Sequence, residues 1–333
     1  MKTYNCKEAP IKVFGIPFFD EKKNYEKVSA ETRALVPSLK HHGRRPSGAR
    51  IGFKTDATEF TVKITLETLN IDVGMSIYNC QSAYVTVGDR QTSTYMGLLN
   101  PKNYENKEFE KTFKKSAKME DVTVWLPRNE VVSEVEIIVD DDAKVEAPTP
   151  YKYGPILYYG SSITESGLAT TMTNSYNAIL SRWLDVDYYN LGFSGRAKGE
   201  LAIADYINTI PDLKLFVYDY DFNAPNLEHL ENTHEVFFKR IREKNPELPI
   251  LIMSAPSFDY LKDAAKRRDV IKKTYTNALA AGDKNVYFID GETFFGDEDR
   301  ELCTVDRIHP NDLGFYRMAK TILPVMKEIL GIE

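Results

Sequence analysis

The chain has 333 residues, of which 42% are hydrophobic and 28% are charged, and this ordinary globular usage excludes wholesale disorder. Its 43 Lys and Arg residues are outnumbered by 49 Asp and Glu residues. A nucleic-acid ligand is therefore not expected, because phosphate binding requires a basic face. No apolar run approaches the roughly 20 residues of a membrane helix, and the first residues lack the apolar core of a secretion signal. We expect a cytoplasmic protein that binds no membrane, although a secreted chain whose signal had been removed would look the same.

Residues 50–140 have the pattern of an antiparallel β-sandwich. β-Branched and aromatic residues alternate with polar ones in short runs at 60–66, 83–87, 122–126 and 135–139. Alternation with period two gives each strand one buried and one solvated face, and several such strands separated by turns are typical of a sandwich. The acidic, Pro-containing stretch at 140–150 lacks this pattern and predicts a boundary near residue 148. We expect domain 1–148 to bind carbohydrate or to form one wall of a substrate cleft.

After residue 148 the pattern changes to strands that alternate with helices. Short apolar runs predict strands at 155–159, 186–191, 215–218, 250–253 and 286–289. Helical stretches between and after them lie at 174–184, 199–207, 227–243, 261–281 and 312–330. For domain 149–333 this alternation predicts a parallel sheet with helices on both faces. Since ligands of such sheets bind at the C-terminal ends of the strands, we expect the chemistry in the residues that follow each strand.

Polar residues and glycines follow these strands. Gly-Ser-Ser-Ile-Thr at 160–164 follows the first strand, Phe-Ser-Gly at 193–195 the second, and Asp-Phe-Asn at 221–223 the third, while Asp-Arg-Ile-His-Pro at 306–310 precedes the last helix. Together they offer a hydroxyl, a glycine turn, a carboxamide and a carboxylate–imidazole pair. A catalytic site requires such groups to converge, and core packing does not select polar residues at these positions.

The residue types fit nucleophilic catalysis by a serine. The Ser162 hydroxyl needs a base to remove its proton. An imidazole is the usual base because histidine side chains in general have a pKa of about 6.5, and His309 provides one. Asp306 precedes His309 by three residues, so a single turn can bring its carboxylate to the ring and fix the tautomer. The backbone N–H groups of Ser162 and Gly195 and the side-chain amide of Asn223 can donate to the oxyanion that forms.

These four segments resemble the four sequence blocks of the SGNH (GDSL) hydrolases, in that family's order, over about 155–330. The resemblance implies a three-layer, flavodoxin-like α/β hydrolase domain with Ser162, His309 and Asp306 as the catalytic triad. It places the oxyanion hole at Ser162, Gly195 and Asn223, and it implies an esterase without metal or organic cofactor. A preceding, jelly-roll-like β-sandwich resembles the two-domain bacterial esterases that remove acetyl groups from carbohydrates. The implied substrate is a small O-acyl ester, above all an O-acetyl ester on a saccharide.

Two of the four blocks depart from the family pattern. Ser161 stands where the first block usually has Asp, and the third block reads Asp-Phe-Asn-Ala at 221–224 in place of Gly-x-Asn-Asp. Ser161 is also a rival nucleophile, although the register of the block favours Ser162. The substrate contacts predicted around the pocket are Asp219, Asp221 and Arg196.

Two other interpretations remain open at this point. The altered blocks favour a non-catalytic carbohydrate-binding protein on a hydrolase scaffold, whereas the complete set of nucleophile, base and orienting acid argues against it. The second alternative is an enzyme that hydrolyses lipid esters or thioesters with the same residues.

Overall fold

Strands of the N-terminal half form two antiparallel sheets, in a computed structural model that describes residues 1–70, 72, 74–103 and 105–333. The strands are β1 (Lys2–Asn5), β2 (Lys12–Phe14), β3 (Arg50–Thr55), β4 (Glu59–Leu66), β5 (Ala83–Val87), β6 (Thr94–Leu99), β7 (Glu108–Lys114), β8 (Glu120–Trp125), β9 (Val132–Val139) and β10 (Val145–Glu146). Short helices lie among them at α1 (Phe19–Lys22), α2 (Ala30–Leu35) and α3 (Ile77–Gln81).

The two sheets enclose one core. One sheet has the order β1-β9-β4-β7, and the other has the order β10-β3-β8-β5-β6 with β2 paired to β3. Along β4, the side chains of Phe60, Val62, Ile64 and Leu66 are buried and those between them are more exposed. These residues belong to the same buried cluster as Ile51 on the facing sheet, which confirms the predicted antiparallel β-sandwich.

A five-stranded parallel sheet forms the C-terminal half. Its strands and helices are β11 (Tyr153–Gly160), α4 (Tyr176–Leu184), β12 (Val186–Gly192), α5 (Leu201–Ile207), β13 (Leu215–Asp219), α6 (Leu227–Lys244), β14 (Ile250–Met253), α7 (Ala264–Ala280), β15 (Val286–Ile289) and α8 (Asp312–Leu330). Helices α5, α6 and α7 pack on one face, and α4 and α8 pack on the other, which confirms the predicted three-layer architecture. Within the described residues no helix is long and apolar enough to cross a membrane.

The strand order sets the position of the site. The sheet runs β12-β11-β13-β14-β15, so the chain passes from β11 to the edge strand β12 and then returns to β13 on the other side of β11. A crevice opens at the C-terminal ends of the strands where the order reverses in this way. Ser162 follows β11 at this point, and 221–223 follow β13.

A segment of the N-terminal half packs on the parallel sheet. Val28, Val36 and Leu39 are buried in the cluster that contains Leu157 of β11 and the residues of α5–α7. The backbone carbonyl of Lys27 accepts a hydrogen bond from the Tyr206 hydroxyl at 2.9 Å. The two halves therefore share part of one hydrophobic core.

Candidate active site

Ser162, His309 and Asp306 form a continuous chain of hydrogen bonds. Ser162 Oγ lies 2.8 Å from His309 Nε2, and His309 Nδ1 lies 2.7 Å from Asp306 Oδ2. Because an ionised carboxylate only accepts, Nδ1 carries the ring proton and Nε2 accepts from the Ser162 hydroxyl. In this arrangement an imidazole can take the proton of a serine nucleophile. The fold thus brings together two groups that lie 147 positions apart in the sequence.

A tight loop before α8 holds the imidazole and its carboxylate. Asp306 Oδ1 accepts the backbone N–H of His309 at 2.8 Å. Ser257, from the segment after β14, donates its hydroxyl to the carbonyl of Ile308 at 2.6 Å. Asn311 then caps the first turn of α8 with its side-chain oxygen. The ring of His309 is therefore anchored through the backbone on either side of it.

The same hydrogen bonds set the charge of Asp306. Partial burial alone would raise the pKa of this carboxyl, but the N–H groups of His309 and Ile308 outweigh that effect and hold the pKa below its ordinary value. The carboxylate is therefore ionised at neutral pH, as an orienting acid must be. The side chains of His309 and Asp306 are 25% and 46% exposed, so the triad lies at the surface of the protein.

The turn after β11 presents the Ser162 hydroxyl to the ring. At Gly160 a Cβ atom would lie 2.4 Å from the carbonyl oxygen of Asp219, so only glycine fits at the end of the strand. Ser161 is 2% exposed and its hydroxyl oxygen accepts the N–H of Ile163. Ser162 contacts the imidazole, so the geometry favours it over Ser161 as the nucleophile.

The predicted oxyanion donors lie on adjoining loops. The N–H of Phe193 donates to the carbonyl of Gly160 at 2.9 Å, so the loop with Gly195 begins beside the serine turn. Gly195 has a φ of +68°, a conformation that favours glycine. The side-chain oxygen of Asn223 accepts the N–H of Ala197 at 3.3 Å, which directs the amide NH₂ away from that bond. We define the segment 192–196 as the oxyanion loop.

The residues predicted to contact substrate differ in their exposure. Arg196 is exposed on the oxyanion loop. Asp219 and Asp221 are buried, and protein donors occupy both carboxylates. Thr164 and Tyr176 donate to Asp219, whereas Arg267 and a backbone N–H donate to Asp221. We therefore retain only Arg196 as a predicted substrate contact and assign the two aspartates to internal support of the loops.

In the described part of the chain no three His, Cys, Asp or Glu side chains are grouped to bind a metal ion.

Replacing Asp219 by asparagine should remove a pH dependence of stability. Burial raises the pKa of Asp219 from 3.8 to about 7, although the hydrogen bonds from Thr164 and Tyr176 act in the opposite direction. Between pH 3.8 and about 7 the Asp219 carboxyl is therefore protonated in the folded state and ionised in the unfolded state. The free energy of unfolding falls as the pH rises through this range, because the folded state must then give up its bound proton. Urea titrations at a series of pH values should show the free energy of unfolding of the wild type falling, relative to Asp219→Asn, by up to roughly 4 kcal/mol over this window.

A variant with Asp56→Asn, in the turn between β3 and β4, controls for the general effect of losing one carboxylate. The difference in free energy of unfolding between the wild type and Asp219→Asn is compared with that between the wild type and Asp56→Asn. If the first difference changes with pH no more than the second, burial does not raise the pKa of Asp219.

Sequence reasoning missed a charged residue in the serine turn. Glu165 is fully buried and lies among the side chains of Lys27 and Arg128 from the N-terminal half. The available signal was a lone acidic residue inside a turn of small and apolar residues at 160–169. Its partners were not predictable, because they come from distant segments of the chain.

Two protein families match the sequence, and between them they cover most of the chain. Residues 153–327 match the GDSL-like lipase/acylhydrolase family. Residues 1–145 match a family described as the N-terminus of SGNH-hydrolase-type esterases. No curated protein matches the chain.

Several solved structures share the whole architecture. A proposed GDSL-like lipase from Bacteroides ovatus is 25% identical and superposes with a TM-score of 0.88 over 100% of this chain and 98% of its own. The salicylyl-acyltransferase SsfX3 from a tetracycline biosynthetic pathway is 18% identical, with a TM-score of 0.77 over 100% of both chains. A family two carbohydrate esterase from Clostridium thermocellum, solved in complex with cellohexaose, is 18% identical, with a TM-score of 0.64 over 86% of this chain and 93% of its own.

Proposed function

This chain belongs to the GDSL-like lipase/acylhydrolase family and is an esterase, and we propose that it hydrolyses small O-acyl esters on carbohydrate through an acyl-enzyme on Ser162. The observation that carries the proposal is the hydrogen-bonded chain from the Ser162 hydroxyl through the His309 ring to the Asp306 carboxylate. A serine in such a chain is activated for attack on an ester carbonyl.

The reaction proceeds by two acyl transfers. Ser162 Oγ attacks the carbonyl carbon while His309 Nε2 takes the hydroxyl proton, and the carbonyl oxygen becomes an oxyanion. His309 then gives the proton to the leaving alcohol oxygen, which leaves the acyl group on Ser162. Water attacks this ester, with His309 as base, and release of the carboxylic acid regenerates the serine. Asp306 stabilises the imidazolium formed in both steps.

Donors for the oxyanion come from three loops. The N–H groups of Ser162 and Gly195 and the side-chain NH₂ of Asn223 are proposed to bind the oxygen as it becomes negative. Donors fixed in advance stabilise this charge without reorganisation, and each one lowers the barrier by roughly 2.7 to 4 kcal/mol. Asn223 is suited to this function because the N–H of Ala197 already occupies its oxygen.

The proposed substrate is an acetyl ester on a saccharide. The exposure of His309 and Asp306 favours an ester carried on a bulky alcohol, which an enclosed site would exclude. Arg196 on the oxyanion loop offers hydrogen-bond donors to sugar hydroxyls at this opening. The carbohydrate esterase that was solved with cellohexaose shares the fold and supports the same substrate class.

The proposal is tested by substrate ranking. We expect kcat/KM for p-nitrophenyl acetate to exceed that for p-nitrophenyl octanoate, and we expect acetate release from acetylated cello- and xylo-oligosaccharides. The saccharides should also lower the rate on p-nitrophenyl acetate by competition at one site. Preference for octanoate together with no acetate release from any saccharide would instead favour the lipid-ester alternative. Heat-denatured protein gives the background rate of each ester.

A further inference from the structure

A buried carboxylate lies directly behind the oxyanion loop. Glu165 is fully buried, three residues after Ser162. Its Oε2 accepts both the backbone N–H of Ser194 at 2.9 Å and the hydroxyl of Ser194 at 2.6 Å. Ser194 immediately precedes Gly195, whose N–H is a proposed oxyanion donor. The carboxylate therefore binds the oxyanion loop one residue away from that donor.

The cations around Glu165 come from the N-terminal half. Lys27 Nζ donates to Glu165 Oε1 at 3.1 Å and to the carbonyl of Gly192 at 2.7 Å, so it binds the beginning of the same loop. Arg128 donates to Glu165 Oε2 at 3.1 Å and also to the hydroxyl of Ser194. Both cationic side chains are completely buried. We call Glu165, Lys27, Arg128 and Ser194 the Glu165 cluster.

Charge fixes this cluster in one arrangement. Burial alone would raise the pKa of Glu165, but Lys27, Arg128 and the nearby Arg45 outweigh burial and hold the pKa well below its ordinary value. Burial lowers the pKa of Lys27 to about 8, against the attraction of Glu165. Removing one charge from such a group leaves the others uncompensated in a medium of low dielectric constant, which is strongly unfavourable. The ionised cluster therefore resists any displacement of the loop that it binds.

We infer that Glu165 is a positioning residue, which holds the Gly195 N–H in the geometry that binds the oxyanion, and that Lys27 and Arg128 make the N-terminal half part of the active site. The inference rests on the proposed ester hydrolysis. The cluster binds the oxyanion loop at Gly192 and at Ser194, so the loop has little freedom to shift. Catalytic donors must be held within about 0.5 Å of their productive positions, and supporting hydrogen bonds provide that precision.

The test compares Glu165→Gln with two further variants. Glutamine keeps the volume of the side chain and removes its charge, so we expect kcat to fall by about 10²-fold with KM changed by less than about 3-fold. Ser194→Ala removes only the hydroxyl, so this variant should fold even if Glu165→Gln does not, and we expect its kcat to fall by about 10-fold.

Glu130→Gln is the matched control, because Glu130 is also a buried, hydrogen-bonded acid but binds Thr68, Asn70 and Gln81 of the N-terminal half. Its kcat should equal that of the wild type.

A boronic acid inhibitor separates positioning from a general loss of stability. Its tetrahedral adduct with serine uses the oxyanion hole, so its Ki should rise by the same factor as kcat/KM falls in Glu165→Gln and Ser194→Ala. Melting temperatures measured in parallel should fall in Glu130→Gln as well, although its Ki should not change. If both loop variants keep wild-type kcat and Ki while Ser162→Ala is inactive, the inference about Glu165 is wrong and the proposed function stands. Activity retained in Ser162→Ala would instead overturn the proposed function, whatever the Glu165 variants do.

Discussion

Ser162→Ala should lower kcat by roughly 10⁶-fold, the scale of loss observed when a serine hydrolase is deprived of its nucleophile. The variant loses the oxygen that forms the acyl-enzyme, whereas the His309–Asp306 pair and the oxyanion donors remain in place. The residual rate then comes from binding and from the oxyanion donors acting on water, which still accelerate the reaction over solution. Initial rates of p-nitrophenyl acetate hydrolysis measure the loss, and the melting temperature should remain within a few degrees of the wild type.

Ser161→Ala is the matched control for the nucleophile. Ser161 is the adjacent hydroxyl, but its oxygen accepts the N–H of Ile163 inside the turn and does not contact His309. A fluorophosphonate probe should label the wild type and Ser161→Ala and should not label Ser162→Ala. Labelling of Ser162→Ala at the wild-type rate would remove the nucleophile assignment, and loss of labelling in Ser161→Ala alone would transfer it to Ser161.

Asp306→Asn should lower kcat by about 10³- to 10⁴-fold while KM changes little. The amide oxygen can still accept the backbone N–H groups of Ile308 and His309, which Asp306 Oδ1 binds at 3.0 and 2.8 Å, so the loop should keep its shape. The amide NH₂ then faces His309 Nδ1 and favours the tautomer with its proton on Nε2. In that tautomer the ring cannot accept the proton of Ser162.

The pH profile and a second aspartate complete this test. Because the pKa of Asp306 lies below its ordinary value, protonation of this carboxyl should not cause the fall of the wild-type kcat on the acidic side of the pH profile. Asp259→Asn is the control, since Asp259 is an aspartate on a neighbouring loop that pairs with Arg300, and it should keep the wild-type kcat. An Asp306→Asn variant with wild-type kcat would mean that solvent or another group orients the imidazole.

The hydrolase half was largely predictable because local pattern and topology agree there. The apolar runs at 250–253 and 286–289 are strands with those same bounds in the structure, and α8 spans the predicted 312–330. A parallel sheet brings the C-terminal ends of its strands to one edge, so residues after separate strands meet even when they are far apart in sequence. Ser162 and Asn223 could therefore be placed together from their positions after β11 and β13, whereas His309, which lies well beyond β15, was assigned from its chemistry and from the resemblance of its sequence block.

The buried hydrogen bonds and ion pairs that support the site were not predictable, because no local sequence pattern indicates which distant residues form them. Lys27 and Glu165 are 138 positions apart, and Lys27 lies in a segment without a strand or helix pattern. Asp219 is the last residue of β13 and Asp221 follows that strand, as site residues do, yet the two carboxyl groups bind a neighbouring hydroxyl and a guanidinium group inside the protein. Position after a strand predicts proximity to the site, whereas the direction of a side chain depends on donors contributed by other elements.

The segment with Val28, Val36 and Leu39 has a consequence for how the protein is made. A ribosome releases these apolar residues long before it has synthesised β11 and α5–α7, against which they pack. Until then they have no native surface to cover them, whereas the core of the sandwich contains none of the three. On the growing polypeptide this segment therefore stays exposed until the second half has been synthesised, and chaperones can bind it during that interval.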